Sequence, residues 1–380
     1  DLQDGVRRSI ETIANEVLDR RRARGLPELP PEKAQKLAVQ ALRYLYRILF
    51  LLVVEERGLV FPPEAEAAKR DIYARFYSLS RLRRLSELVL GDQERHDDWY
   101  RLLSEIFALF DEKGSGAALG IAPLGGRLFS SSALPWLSRL SLDNKSLKDA
   151  LAGLDSFWDE ERHARVHVNY GSLNVEEFGS VYEGLLELEP EIVTTTRGPE
   201  FRFSAGSGRG DTGSHYTPEE LVQKLVKAGV DPAIADALEE ARKKAPSGPA
   251  YQKAAEAGLL GLRILDSACG SGHMLLGAAR RIGVELARVR TGEDEPSPTA
   301  IRAATRDALA HCVYGVDRNL LAVELCKVAL WLEGHEPGKP LSFLDHRIRC
   351  GDSLAGLARV EELEAGIPDE AFAAKGKDDK

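Results

Sequence analysis

The strongest chemical signal in the sequence is the run from Ile264 to Leu275, where an acid and two glycines stand between a strand-like and a helix-like segment. Asp266 ends the strand-like segment, and Gly270 and Gly272 follow it. Because glycine has no Cβ, these positions allow unusual backbone dihedrals and a close ligand approach, and the helix that follows offers free N–H groups. The run therefore predicts a ligand-binding turn at the end of a strand.

The residue three positions after the second glycine separates two classes of ligand. A dinucleotide-binding turn has a third glycine there and holds a pyrophosphate, whereas this sequence has Leu275. Asp266 would repel a diphosphate but suits a cation, such as the amino group and sulfonium of S-adenosylmethionine. The run favours S-adenosylmethionine over a nicotinamide cofactor, and a plain glycine turn without a ligand is the alternative.

Two further strand-like segments also end in an acid. Asp317 closes Val313–Asp317, and a carboxylate there can accept hydrogen bonds from both ribose hydroxyls of a nucleoside. Asp352 follows Ile348–Cys350 and can accept the exocyclic amino group of an adenine. Each acid taken alone also fits a helix cap. Together, the three acids predict one crevice at the carboxyl ends of parallel strands.

The hydrophobic pattern divides the chain. Residues 1–190 have apolar residues at helical spacing and predict an all-α domain. Residues 191–213, rich in Thr, Gly, Ser and Arg, predict a flexible linker. Strand-helix alternation then predicts a parallel, doubly wound sheet. The helices predicted for the first domain are at about Pro31–Arg57, Arg81–Leu90, Trp99–Phe110, Leu147–Leu154 and Val175–Leu188.

Composition restricts the surroundings of the protein. The net charge of −9 argues against a strong polyanion-binding surface, and the basic cluster Arg20–Arg24 is interpreted as a solvated helix end. The apolar run Ile48–Val54 is too short for a membrane span, and no signal peptide pattern opens the chain. We expect a cytoplasmic protein with no membrane partner, no metal and four reduced core cysteines, Cys269, Cys312, Cys326 and Cys350.

At this point the motifs match a known family. The segment Asp266–Gly272, DSACGSG, closely resembles the first motif of adenine-N6 DNA methyltransferases, and Gly213–Pro218, GSHYTP, is similar to the element that precedes it in their gamma-type order. The resemblance implies that the Tyr-Thr-Pro segment closes over the methionine end of S-adenosylmethionine. By local chemistry the same segment is a helix start, with Thr217 as N-cap, Pro218 at N1 and Glu220 at N3. The implied cofactor-binding residues are Tyr216, Thr217, Pro218, Asp266, Ala268, Cys269, Gly270, Gly272, Asp317 and Asp352.

The resemblance also implies the architecture and the partners. The expected fold is an incomplete α/β, Rossmann-like, S-adenosylmethionine-dependent methyltransferase core after an all-α domain. Residues 214–355 would form the cofactor-binding half of this core, and residues 356–380 would begin an insertion or linker. The arrangement is similar to large Eco57I-like or DISARM-associated enzymes of restriction-modification and phage defence. DNA is the expected partner, mainly through regions beyond residue 380, with other subunits of a defence system as further candidates.

The catalytic motif of this family, Asn/Asp-Pro-Pro-aromatic, does not occur in the sequence. The Pro-Pro pairs, Pro30–Pro31 and Pro62–Pro63, follow Leu29 and Phe61, so no catalytic residue is assigned. Three alternatives therefore stay open: a methyltransferase of RNA or protein, a non-catalytic cofactor-binding or scaffolding module of a defence complex, and, as the weakest, a nicotinamide dehydrogenase.

We predict that the 380-residue chain alone transfers no methyl group to DNA, although a parent enzyme would methylate adenine at N6. Transfer needs the target amine in line with the methyl donor, about 3 to 3.5 Å from the reacting carbon, and the missing motif would hold it. Incubation with tritiated cofactor and mixed-sequence DNA should leave the DNA unlabelled. Clear incorporation at adenine N6 would show that the catalytic element lies within these residues.

Overall fold

The computed structural model describes residues 2–87, 94–111, 113–124, 128–159, 163–172, 185, 188–205, 217–336 and 344–354. The predicted helix at Val175–Leu188 and the segments 206–216 and 355–380 lie outside or almost wholly outside these residues. In the N-terminal part, helices α1 to α6 span Leu2–Ala23, Ala34–Glu56, Ala67–Phe76, Leu79–Ser86, Asp98–Phe110 and Asn144–Asp155.

Helix α2 is the centre of the N-terminal core. A short 3-10 turn, Pro31–Lys33, leads into it, and Gly58 takes a left-handed φ of +67° just after its end, so the predicted helix and its glycine stop are confirmed. It is long and apolar enough to cross a membrane by composition, but 94% of its most apolar window is buried inside the protein. Because the side chains of α2 pack against protein on nearly all sides, it is a core helix.

Two β-hairpins correct the prediction of an all-α region followed by a linker. Strand β1 (Ser156–Asp159) pairs antiparallel with β2 (Ala164–His167), and β3 (Leu188–Thr195) pairs with β4 (Gly198–Ala205). The second hairpin turns through only two residues, with Gly198 at a φ of +114°. The linker prediction is therefore wrong for residues 191–205, and residues 206–213 lie outside the described ranges.

Side chains of helix α1 bind the backbone of strand β4 in the second hairpin, as the backbone of a neighbouring strand would. The Asn15 amide donates to the Phe201 carbonyl at 2.9 Å and accepts from the Phe201 N–H at 2.7 Å. The Glu11 carboxylate accepts from the Phe203 N–H at 3.1 Å. Strand β4 therefore depends on partners 186 and 192 residues earlier in the chain, which its own sequence does not reveal.

The second part of the chain is α/β. It contains β5 (Ile264–Asp266), β6 (Val313–Asp317) and β7 (Ile348–Cys350), which form a parallel sheet in the order β5-β6-β7, within one or two residues of the predicted strands. A complete Rossmann-like core stays a prediction. The helices of this part, α7 to α12, span Glu219–Leu225, Asp231–Lys244, Gly248–Leu260, His273–Thr291, Pro298–His311 and Leu320–Gly334.

Strand alternation separates the two faces of this sheet. Ile264, Val313 and Ile348 point to the side covered by α10, α11 and α12, where Val313 and Ile348 are fully buried. On the other side Leu265 is 66% exposed, next to Tyr314. The helix-covered side also carries Asp266, Asp317 and Cys350, because they lie two or four residues beyond Ile264, Val313 and Ile348 on the same strands.

The helical and α/β parts meet where α2 packs against α12. Arg43 of α2 makes a two-pronged ion pair with Glu324 of α12, with N–O distances of 2.8 and 2.9 Å. Beyond the end of α12, the His335 ring packs edge-on against Phe50, and its Nε2 lies 3.1 Å from the Leu59 carbonyl oxygen. Nδ1 of His335 is buried without a hydrogen-bond partner among the described residues. Burial lowers the pKa of His335 to about 4.

Acidification should weaken this contact. Because the pKa of His335 falls from 6.5 in the unfolded chain to about 4 in the fold, its neutral form contributes stability above pH 6.5, and that stability is lost as the pH falls toward 4. The loss by pH 4 is on the order of 3 kcal/mol. Chemical denaturation of the wild type and His335→Gln from pH 7.5 to pH 4 measures it: the stability of the wild type should fall more steeply. Parallel pH profiles would contradict the assignment.

Candidate functional site

The predicted acids meet at the carboxyl edge of the parallel sheet. Asp317 joins two loops, because one carboxylate oxygen accepts the Gly270 N–H at 2.9 Å and the other accepts the Asn319 N–H at 2.8 Å. The third loop is tied to the first by the Ser353 hydroxyl, which donates to the Ser267 carbonyl at 2.8 Å. The structure therefore brings the three strand ends together in one hydrogen-bonded edge.

The turn between β5 and α10 has the glycine conformations that its sequence predicts. Gly270 and Gly272 have φ values of +51° and +90°, and α10 begins at His273. A Cβ on Gly272 would lie 2.7 Å from the Cys326 sulfur of α12, whereas one on Gly270 would meet nothing within 4 Å. Gly272 thus serves helix packing, and Gly270 leaves open space beside the Asp317 carboxylate.

Two of the three acids at this edge, Asp266 and Asp317, have no ion-pair partner in the described part of the chain. Asp266 accepts the Ala268 N–H at 3.0 Å. Burial, and secondarily the charge of Asp317, raises the pKa of Asp266 above its ordinary value. A cation placed between the two carboxylates would relieve both the desolvation and the repulsion.

The other predicted site residues, Ala268, Cys269 and Asp352, differ in burial and in their hydrogen-bond partners. Ala268 is exposed, whereas Cys269 is buried and donates its N–H to the Val316 carbonyl at 2.9 Å, which pins the turn to β6. Asp352 is shared, because it caps its own loop through the Leu354 N–H and lies 3.3 Å from the Arg318 guanidinium. Asp352 therefore differs from Asp317 in having a basic side chain as one of its partners.

The Tyr-Thr-Pro segment is described only in part. Tyr216 lies outside the described residues, Thr217 is half-buried and Pro218 is exposed. The predicted cap shifts by one residue: α7 begins at Glu219, and Pro218, not Thr217, occupies the N-cap position. The reason is that Pro218 has an extended ψ of 142°, which places it before the first helical residue.

A polar pair that the sequence analysis missed lies beside the turn. Nε2 of His273, the first residue of α10, is 2.8 Å from a carboxylate oxygen of Glu219, the first residue of α7. The two residues are 54 positions apart, and no sequence pattern indicates that they are in contact. The position of His273 directly after the glycine turn was the available indication.

The cysteines and one polar cluster complete the chemistry-bearing groups. Cys269, Cys312 and Cys326 are buried and free as predicted, but Cys350 is exposed, because it lies at the end of the edge strand β7.

In the N-terminal part, Glu87, Asp155 and His167 stand close enough together to hold a metal ion. The Arg83 guanidinium already lies 2.5 Å from Asp155, so this cluster is built as an ion-pair network.

The arginines predicted to stand at a solvated helix end do lie at the end of α1, but several of them also contact protein groups. Arg20 pairs with Glu16 at 2.6 Å, Arg21 donates to the Pro27 carbonyl at 2.7 Å, and Arg24 donates to the Arg139 carbonyl at 2.9 Å. The first contact lies within α1, and the other two bind segments outside the helix, so these arginines use donors on protein groups.

Comparison with known proteins relates the chain to restriction-modification enzymes. No family model matches it. Over 200 residues, or 45% of the chain, it is 26% identical to a candidate type II restriction enzyme and methyltransferase of Methanocaldococcus jannaschii, and it covers 17% of that protein. Among solved structures, it is similar to the type IIL restriction-modification enzyme MmeI in complex with DNA, with 18% identity and a TM-score of 0.46, over 91% of this chain and 38% of MmeI. The chain thus spans less than half the length of each.

The two glycines of the turn should differ in their tolerance of a side chain. Gly272→Ala adds a Cβ 2.7 Å from the Cys326 sulfur at a φ of +90°, whereas Gly270→Ala adds one in open space at +51°. We expect Gly270→Ala to cost about 1 kcal/mol of unfolding free energy and Gly272→Ala at least about 2 kcal/mol. Urea denaturation of both variants checks this order, and equal losses would show that packing against α12 does not depend on Gly272.

Proposed function

We propose that the α/β part of the chain binds S-adenosylmethionine and is the cofactor-binding part of a site-specific DNA adenine-N6 methyltransferase of a restriction-modification or phage-defence system. The observation that carries the proposal is the pair Asp266 and Asp317, two carboxylates beside a glycine turn without a basic partner among the described residues. When bound, S-adenosylmethionine supplies the methyl group.

The donor set fits this cofactor better than a dinucleotide. Asp317 uses two of its about four lone-pair sites for backbone N–H groups, so the remaining ones can accept ribose hydroxyls. Asp266, half-buried with a raised pKa, can accept the cationic amino-acid end of the cofactor. A pyrophosphate in the same place would meet both carboxylates and be repelled.

Sequence similarity supports the type of reaction. The M. jannaschii relative is described as a restriction enzyme and methyltransferase, and the DSACGSG turn resembles the first motif of adenine-N6 DNA methyltransferases. The net charge of −9 favours a DNA-binding surface that lies mainly in regions beyond these residues. In this proposal the chain supplies the cofactor edge, and the target adenine is held elsewhere.

A further experiment separates this proposal from a dinucleotide-binding or ligand-free module. Isothermal titration of the chain with S-adenosylmethionine, S-adenosylhomocysteine and NADH, at concentrations well above micromolar, should give heat for the first two and none for NADH. Absence of heat and of thermal stabilisation with either adenosyl ligand would remove the proposal, and binding of NADH alone would establish the dinucleotide alternative.

Asp317→Asn should weaken S-adenosylmethionine binding about tenfold or more while the chain stays folded, because charge-assisted hydrogen bonds of on the order of 1.5 to 3 kcal/mol each are lost. A matched control is Asp294→Asn, in the loop after the far end of the 19-residue helix α10. That helix separates the control from the turn by roughly 28 Å. An unchanged dissociation constant for Asp317→Asn would exclude Asp317 from the site.

A further inference from the structure

Helix α7 and helix α10 meet along one stripe of each helix. On α7 and the turn that continues it, Val222 and Val226 are buried and face α10. On α10, Gly277 receives them: a Cβ there would lie 2.7 Å from Val222 and 3.3 Å from Val226. This close apolar contact holds the two helices together on its own.

The same stripe ends in a polar contact. Glu219 lies three residues before Val222, and His273 lies four residues before Gly277, so both are on the contacting faces. Their side chains meet at 2.8 Å, and the other Glu219 oxygen accepts from the Gln223 amide. The Glu219 side chain is 50% exposed, and such a pair contributes little to stability, about 0 to 1 kcal/mol.

The pair stands at the point where both helices leave the candidate site. Glu219 follows Thr217 and Pro218 directly, and His273 follows Gly272 directly. The hydrogen bonds of Gln223 and His273, and the charge of Arg280 on α10, lower the pKa of Glu219, so its carboxylate is ionised at neutral pH. One short contact thus connects the residue after the Thr-Pro segment with the residue after the glycine turn.

The order of the strands indicates which part of a bound cofactor would lie near the Glu219–His273 contact. The edge runs from β5 through β6 to β7, and Asp317 at the middle strand is the proposed ribose site. The glycine turn and the Glu219–His273 pair lie on the β5 side of Asp317, and Asp352 lies on the β7 side. If the nucleoside occupies β6 and β7, the amino-acid end of the cofactor falls on the β5 side.

We propose that Glu219 and His273 are positioning residues whose contact fixes the Thr217–Pro218 segment against the glycine turn, and so sets the affinity for the amino-acid end of S-adenosylmethionine. The inference rests on the proposed function. It predicts a selective effect: loss of the contact weakens the binding of S-adenosylmethionine but leaves the binding of adenosine, which lacks the amino-acid end, nearly unchanged.

The test compares both ligands by calorimetry on the full chain and on five variants. Glu219→Ala, His273→Ala and their double variant remove the contact, His273→Gln keeps a hydrogen-bond donor, and Glu220→Ala removes a charge one residue away on the same exposed turn. Each single removal should raise the dissociation constant for S-adenosylmethionine about fivefold and that for adenosine less than about twofold. The double variant should be no worse than either single variant. His273→Gln should recover most of the affinity, and Glu220→Ala should bind like the wild type.

Each contrary result has a distinct meaning. Equal losses for both ligands, additive losses in the double variant, or no recovery in His273→Gln would overturn the positioning role and leave a merely structural contact. Wild-type affinity in both alanine variants would overturn it too, while cofactor binding itself stood. If the wild type binds adenosine and S-adenosylmethionine equally well, or neither, the proposed function fails before any variant is compared. Melting temperatures within about 3 °C of the wild type would show that the variants are folded.

Discussion

The α/β part depends on the steric limit at the glycine turn between β5 and α10. Gly272 leaves no room for a Cβ against the Cys326 sulfur, and Gly315 of β6 leaves little room beside Cys269 of the turn, where a Cβ would lie 3.0 Å from sulfur. Both close approaches exist because the turn is wedged between β6 and α12. The backbone path that leaves open space beside Gly270 is therefore the same path that packs the sheet against its helices.

The N-terminal helices reach this turn through α12. Helix α2 is tied to it by the Arg43–Glu324 ion pair and by the packing of Phe50 on His335. Cys326 of the same helix lies against Gly272 of the turn. A helical part that seemed separate from the cofactor motifs by sequence is thus in contact with the element that supports them. Its large apolar core, centred on α2, gives α12 a rigid neighbour.

Sequence reasoning succeeded where the signal was local. The helix at 34–56 has an apolar face and a glycine stop within one stretch, and the parallel strands each end in an acid before a turn, so period and punctuation were sufficient. It failed at the hairpin 188–205, because Phe201 lies opposite Ile192 of β3 but its backbone N–H and carbonyl bond to the Asn15 side chain of α1, far away in the sequence. The same limit hid the Glu219–His273 contact and the bond from Gly270 to Asp317. Both contacts join segments that are distant in the sequence, and the residues next to each partner do not indicate which distant segment the fold brings close.

The two acids at the sheet edge pose a problem that the protein alone does not solve. Asp266 and Asp317 are close enough for the charge of one to raise the pKa of the other, and a chain selected only for stability would neutralise or replace one of them. Backbone N–H groups of Ala268, Gly270 and Asn319 compensate the carboxylates in part, but they carry no full positive charge. A local arrangement that costs stability, within surroundings that are well packed and hydrogen-bonded, is typical of functional sites. A cationic ligand would complete the electrostatics of this edge, and this is the reason for proposing S-adenosylmethionine there and not an anionic nucleotide.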